Sequence, residues 1–85
     1  YDLHHLKFSN LDIVNSQWNG ITMTSNDRYT LREIYFENVR INGWQNLGLD
    51  FENAAGEAFY RNLVLENGNG PEQNEIPEGF TFTQF

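Results

Sequence analysis

The sequence predicts an all-β chain wound as a solenoid of short parallel strands, and three observations carry that expectation. An asparagine recurs in one frame, in Phe8-Ser9-Asn10-Leu11, Phe36-Glu37-Asn38-Val39 and Tyr60-Arg61-Asn62-Leu63, always two places after an aromatic residue and one before an aliphatic one. Its flanks recur with it. At the shift that carries Asn10 onto Asn38, Tyr1 maps on Tyr29, Leu3 on Leu31, Leu6 on Ile34, Phe8 on Phe36, Leu11 on Val39, Ile13 on Ile41 and Ile21 on Leu49. Apolar and polar residues alternate in short runs, helical periodicity is absent, and the density of Asn and Gly disfavours long helices. A hairpin sheet reverses at each turn and would not return the same residue to the same place at a fixed interval. A coil stacks each strand on its own copy, parallel and in register.

Each element has a local reason. Leu6-Lys7-Phe8 and Leu11-Asp12-Ile13 form the first two strands of a coil, joined at Asn10 alone. A bend without a loop needs one residue near the left-handed region, which Asn tolerates better than any other non-glycine residue. Stacked copies of that side chain can hydrogen-bond as an amide ladder, expected to be buried, at Asn10, Asn38 and Asn62. A polar turn, Asn15-Ser16-Gln17-Trp18-Asn19, then leads to a third strand, Gly20-Ile21-Thr22-Met23, which recurs as Gly48-Leu49-Asp50-Phe51. The third copy follows at a shorter shift, from Asn38 to Asn62, with Ala58, Tyr60, Leu63 and Leu65 in the apolar places. Its third strand is expected at Gly79-Phe80-Thr81-Phe82, further beyond Gly48 than Gly48 lies beyond Gly20, which makes 66–78 a loop insertion. Residues 1–85 thus read as a single segment of about three coils with no linker.

Composition narrows the partners. With 12 acidic and 5 basic residues and a net charge of −7, the chain lacks the basic stripe that nucleic-acid binding needs. No apolar run is long enough to span a bilayer, and the absence of cysteine excludes disulfides and Cys-ligated metals. Chemistry must therefore come from side chains that point away from the core. With Ile21/Met23, Leu49/Phe51 and Phe80/Phe82 inward, the outward columns are Thr22-Asp50-Thr81 and Thr24-Glu52-Thr83. Asp50 and Glu52 then share one face at roughly 6 to 7 Å, given a rise of ~3.3 Å per residue. That spacing falls within the range of paired carboxylates in glycoside hydrolysis. The alternative is two solvated carboxylates in a threonine ladder.

Trp18 and Trp44, beside Gln17 and Gln45, precede the third strand of their coils, where flat aromatic faces next to amides suit sugar rings. Their other reading is an indole that shields a corner of the core. Two further columns, Ser9-Glu37-Arg61 and Asp12-Arg40, place opposite charges on adjacent coils. His4 and His5 have no copies, because Arg32 and Glu33 take those places, so they read as surface histidines without metal partners. The acidic residues of the tail, Glu66, Glu72, Glu75 and Glu78, lie in a Gly- and Asn-rich stretch that resembles a Ca²⁺ loop only in its oxygen count. No cofactor or metal is expected elsewhere.

The order strand, Asn bend, strand, variable polar turn, strand opening on Gly-hydrophobic-polar-hydrophobic resembles that of right-handed parallel β-helix proteins, above all the secreted carbohydrate-active hydrolases and lyases of polygalacturonase-like, dextranase-like and α-1,3-glucanase-like kinds. The resemblance spans nearly the whole chain. It implies a polysaccharide partner, an extracellular location and a segment of a glycoside hydrolase, with Asp50 and Glu52 as its catalytic carboxylates and Trp18, Trp44, Gln17 and Gln45 as sugar contacts. The pattern departs from those hydrolases in having no second acidic residue in the column of Asp50. A non-catalytic glycan-binding or structural solenoid of the tailspike or adhesin kind, or a polysaccharide lyase, is the competing expectation. Three coils also leave two apolar ends, so further coils of the same solenoid or a partner chain are expected to cover them.

Overall fold

The computed structural model describes residues 2–85; the expected match of Tyr1 to Tyr29 lies outside them. Among the described residues six strands form in chain order, β1 (Asp2–Val14), β2 (Ile21–Thr22), β3 (Tyr29–Asn42), β4 (Leu49–Asp50), β5 (Ala54–Glu66) and β6 (Phe80–Gln84). β1, β3, β5 and β6 lie side by side in one parallel sheet, and β2 pairs with β4 in a second. The result is a parallel β-solenoid of about three turns, in which β6 opens the next turn on top of β5.

The register of the first two coils follows the repeat, with Leu3 beside Leu31, Leu6 beside Ile34, Phe8 beside Phe36 and Leu11 beside Val39. The residues that turn inward in coil two, Leu31, Ile34, Phe36, Val39 and Ile41, are all buried. Their spacing is three, two, three, two rather than a uniform two. The cause lies in the backbone, where Glu33 (φ 54°) and Asn38 (φ 56°) are left-handed. Each such residue consumes one position at a bend without changing which face the next side chain takes. His5 and Asn10 do the same for Leu3, Leu6, Phe8, Leu11 and Ile13 in coil one. Because every bend stacks on its own copy, the inter-coil hydrogen bonds resume on both sides of it. The two strands expected around each Asn are therefore one strand of 13 or 14 residues.

The amide ladder forms, with Asn62 Nδ2 donating to Asn38 Oδ1 at 2.7 Å and Asn38 Nδ2 to Asn10 Oδ1 at 3.3 Å. It is exposed, not buried, because the left-handed bend turns the side chain away from the interior. A third left-handed column, Asn15, Gly43 and Asn67, turns the corner at the end of the long strands. There Asn67 Nδ2 donates to Asn42 Oδ1 at 2.9 Å.

The third coil departs from expectation. Phe80 and Phe82 are inward, but β6 pairs with the start of β5, Gly56 with Phe80 and Ala58 with Phe82. The rung above Leu49 is instead Gln73, a parallel bridge, flanked by Leu49 N–H to Glu72 O at 2.8 Å and Gly48 N–H to Pro71 O at 3.1 Å. Residues 66–78 are therefore no insertion: they are the turn and third side of coil three, and Gln73 follows Leu49 at the same shift that carries Asn38 onto Asn62. Only the apolar signal is missing at that rung, where Gln73 replaces Leu49. Thr81 and Thr83 accordingly sit beside Glu57 and Phe59, away from Asp50 and Glu52. A one-residue shortening falls at the first bend of coil three, where Gly56 (φ 86°) takes the left-handed position. A side chain there would meet Leu31 O at 2.2 Å, so only glycine fits.

Aromatic side chains fill the interior in contact with one another. Phe8 stacks on Phe36 at 5.1 Å between ring centres, Phe51 meets Phe80 at 5.2 Å and Phe82 at 5.1 Å, and Tyr60 meets Phe82 at 4.8 Å.

Candidate functional site

The corner that joins the third side to the next long strand is built almost wholly from short polar residues. Thr24, Ser25 and Asn26 come from coil one, Glu52 and Asn53 from coil two, and Asn74, Glu75 and Pro77 from coil three. Together they line an open cleft of about 740 Å³ that crosses all three coils. Side-chain to main-chain bonds hold its wall, with Thr24 Oγ1 donating to Glu52 O at 3.0 Å and Asn53 Nδ2 to Ser25 O at 2.6 Å. Asn53 is left-handed (φ 66°), which lets it turn this corner in place of glycine.

Asp50 stands behind this wall. The alternation places it on the outer face of β4 beside Thr22, as expected. It is nevertheless only 5 % exposed, so it is no solvated surface carboxylate. Asn19 covers it, with Nδ2 donating to Asp50 Oδ2 at 3.2 Å and to Thr22 Oγ1 at 3.0 Å. Asn19 is itself fixed, because its Oδ1 accepts from Asn46 Nδ2 at 3.0 Å and from the Leu47 N–H at 3.1 Å. The Glu52 N–H donates to Asp50 Oδ1 at 3.3 Å. On the other side, Asn74 Oδ1 accepts from the Phe51 N–H at 2.8 Å, so an amide occupies the place expected for Thr81.

Glu52 is exposed on the cleft, and its carboxyl is held above the usual carboxylate range. The Asp50 charge is the main cause, a side-chain hydrogen bond to Asp50 comes next, and burial adds least. The Asp50 carboxylate lies against the Glu52 main chain and is closed to substrate, so the two do not face each other across a glycosidic bond as an acid and its nucleophile or base do. Of the two carboxyl groups, Glu52 faces the cleft and Asp50 is buried beside it. The second carboxylate on the cleft is Glu75, contributed by coil three. Sequence reasoning misses it because the apolar pattern points to Gly79–Phe82 for the third rung. The shift that carries Leu49 onto Gln73 sets Glu75 in the column of the buried Phe51, so the repeat does not point to it either.

The expected sugar contacts divide. Trp18 is 64 % exposed, and its carbonyl accepts from Gln45 N–H at 3.0 Å and Asn46 N–H at 2.9 Å. Gln17 is exposed beside it, and Gln45 Oε1 accepts from Asn69 Nδ2 at 2.8 Å. None of these three lines the cleft. They lie on the opposite flank of Asp50, reached through Asn19. Trp44 is closed to a sugar: it is 2 % exposed, its Nε1 donates to Gly70 O at 3.0 Å, and a Cβ on Gly68 would lie 1.9 Å from its ring. The indole caps the corner of the core, and glycine above it is what allows the chain to close over the ring.

No three His, Asp or Glu side chains gather as metal ligands among the described residues. In the tail, Glu66 instead forms an ion pair with Arg40 at 2.6 Å, while Glu75 turns to the cleft. No protein-family model, no curated protein and no solved structure matches the chain. What the fold and the site define together is a parallel β-solenoid with a polar, acid-bearing cleft along its flank.

Proposed function

We propose that the cleft holds a stretch of polysaccharide along the solenoid axis and that the chain is a segment of an extracellular glycoside hydrolase. The observation that carries the reading is the cleft, whose walls come from three successive coils. Successive coils repeat at about 4.8 Å, close to the length of one pyranose unit, so a repeating polymer meets a repeating wall of hydroxyl, amide and carboxyl groups. Glu52 is the proton donor. Asp50 keeps it protonated at higher pH than an ordinary glutamic acid, which suits transfer to a glycosidic oxygen. Asp50 is too deeply buried to touch substrate and acts as a positioning residue. Glu75 supplies the opposing carboxylate, accepting a proton from water or attacking the sugar directly. Trp18 extends the surface on the far flank of Asp50. No Lys or Arg lines the cleft among the described residues, which counts against a lyase.

Binding without cleavage is the second reading, favoured by the burial of Asp50, which keeps it from facing Glu52 across a substrate. Reducing-sugar release from neutral and acidic polysaccharides separates the two. Hydrolysis that falls about 10²–10⁴-fold in Glu52→Gln supports the acid role. Retention on a glycan without release moves the chain to the binding class, and neither release nor retention sinks both.

A further inference from the structure

Neighbouring side chains on a strand point to opposite faces, so two adjacent histidines in β1 should stay apart. His4 and His5 instead meet, because His5 is left-handed (φ 61°) and the bend returns both rings to one side. The rings are edge to face at 4.7 Å between centres and 76°, with their Nδ1 atoms 2.5 Å apart. The carboxylate of Glu33, on the next coil, holds His5 Nε2. That contact keeps a proton on Nε2 and leaves Nδ1 of a neutral His5 as a lone pair aimed at His4. Two lone pairs do not face each other at this distance, so one of the two Nδ1 atoms carries a proton that lies between them. The place is one that a cation fills.

We propose that His4 and His5 chelate a divalent transition-metal ion of the Zn²⁺ type through their two Nδ1 atoms. The ion takes both lone pairs, and the shared proton leaves to solvent. Zinc–imidazole bonds of about 2.0–2.1 Å require the nitrogens to separate by roughly 1 Å, which exposed side chains permit. Glu33 acts behind the ligand, as carboxylates commonly do on metal-binding histidines, fixing the tautomer and orientation of His5. Arg32 shares the recess of about 250 Å³ with Glu33 and Glu57, but its guanidinium is turned onto Asp2, so its charge is offset. No third protein ligand comes into range among the described residues, and water completes the coordination.

The test is a Zn²⁺ titration of the chain followed by the NMR signals of the two histidine rings. Both sets should move together and saturate at one ion per chain. His4→Ala and His5→Ala should each weaken binding at least tenfold, with Glu33→Gln roughly tenfold weaker. Binding should also weaken as pH falls, because protons compete for the same lone pairs. Ring signals unmoved by Zn²⁺, or equal affinity in His4→Ala, would overturn the proposal. Circular dichroism establishes whether each variant keeps its β-structure; where one does not, the ring signals of the unmodified chain decide alone.

Discussion

Coils one and two carry the same classes of residue in the same frame, yet only one of them is a core. Leu6 and Leu11 are 37 % and 36 % exposed, whereas their copies Ile34 and Val39 are 0 % and 1 % exposed. Nothing in the local sequence separates them, since both sets point inward by the same pattern of left-handed bends. The difference is that coil two has a neighbour above and below, while coil one has its neighbour on a single side among the described residues. In a solenoid the sequence sets direction, and the stack sets burial.

Truncation should reveal that difference as the largest effect. Ile34→Ala is expected to destabilise the fold by about 2–5 kcal/mol, and Leu6→Ala by about 1 kcal/mol, because Leu6 has less surface to lose to water. Urea unfolding of both variants reads the gap. Equal losses would mean that the apolar edge of coil one is covered in solution, and a concentration-dependent midpoint would identify a second chain as the cover.

The asparagine ladder offers a smaller contrast between the same coils. Asn38 both accepts and donates, whereas Asn10 only accepts from Asn38. Replacing either by alanine forces a left-handed backbone on a residue that resists it, at about 1 kcal/mol. Asn38→Ala should cost about 1 kcal/mol more than Asn10→Ala, for the extra amide contacts. Asn38→Gly separates the terms, since glycine removes the backbone cost and leaves only the lost amides. A ladder with no energetic role would leave Asn38→Gly as stable as the parent.

These contrasts also mark what the sequence makes legible. The repeat frame, the inward set and the Asn bend are readable because each rests on a residue type that few alternatives can replace. The left-handed column of Asn15, Gly43 and Asn67 is equally present, but Asn and Gly together hide a column that a single residue type displays. The third side of coil three is unreadable by hydrophobicity, because Gln73 fills a place held by Ile21 and Leu49. Glu75 vanishes from the site with it. The burial of Asp50 is out of reach for a different reason: it depends on Asn19, whose amide is aimed by bonds from the neighbouring coil. Trp18 follows Gln17 whereas Trp44 precedes Gln45, so the two indoles hold different places in the repeat, and Gly68 lets the chain close over Trp44.

The smallest expected effect concerns the acidic pair, which coil two carries where coil one has Thr22 and Thr24. Glu52 holds its proton above the ordinary glutamate value chiefly because Asp50 is charged beside it. A carboxyl raised in this way favours the folded state while protonated. That contribution is complete below the unfolded value and is lost as pH rises through the folded one. Glu52→Gln should therefore match the parent's stability in acid and exceed it slightly at neutral pH, with the gap opening across that interval. Asp50→Asn should return Glu52 to the ordinary range, read by NMR titration of its side-chain carbon. Asp50 would then be the residue that tunes the acid without touching the substrate, and its loss should shift the pH profile of any hydrolysis toward acid before it lowers the maximal rate. A Glu52 titration that stays high in Asp50→Asn would assign the shift to the cleft wall instead, and Asp50 would be left with a packing role beside Asn19.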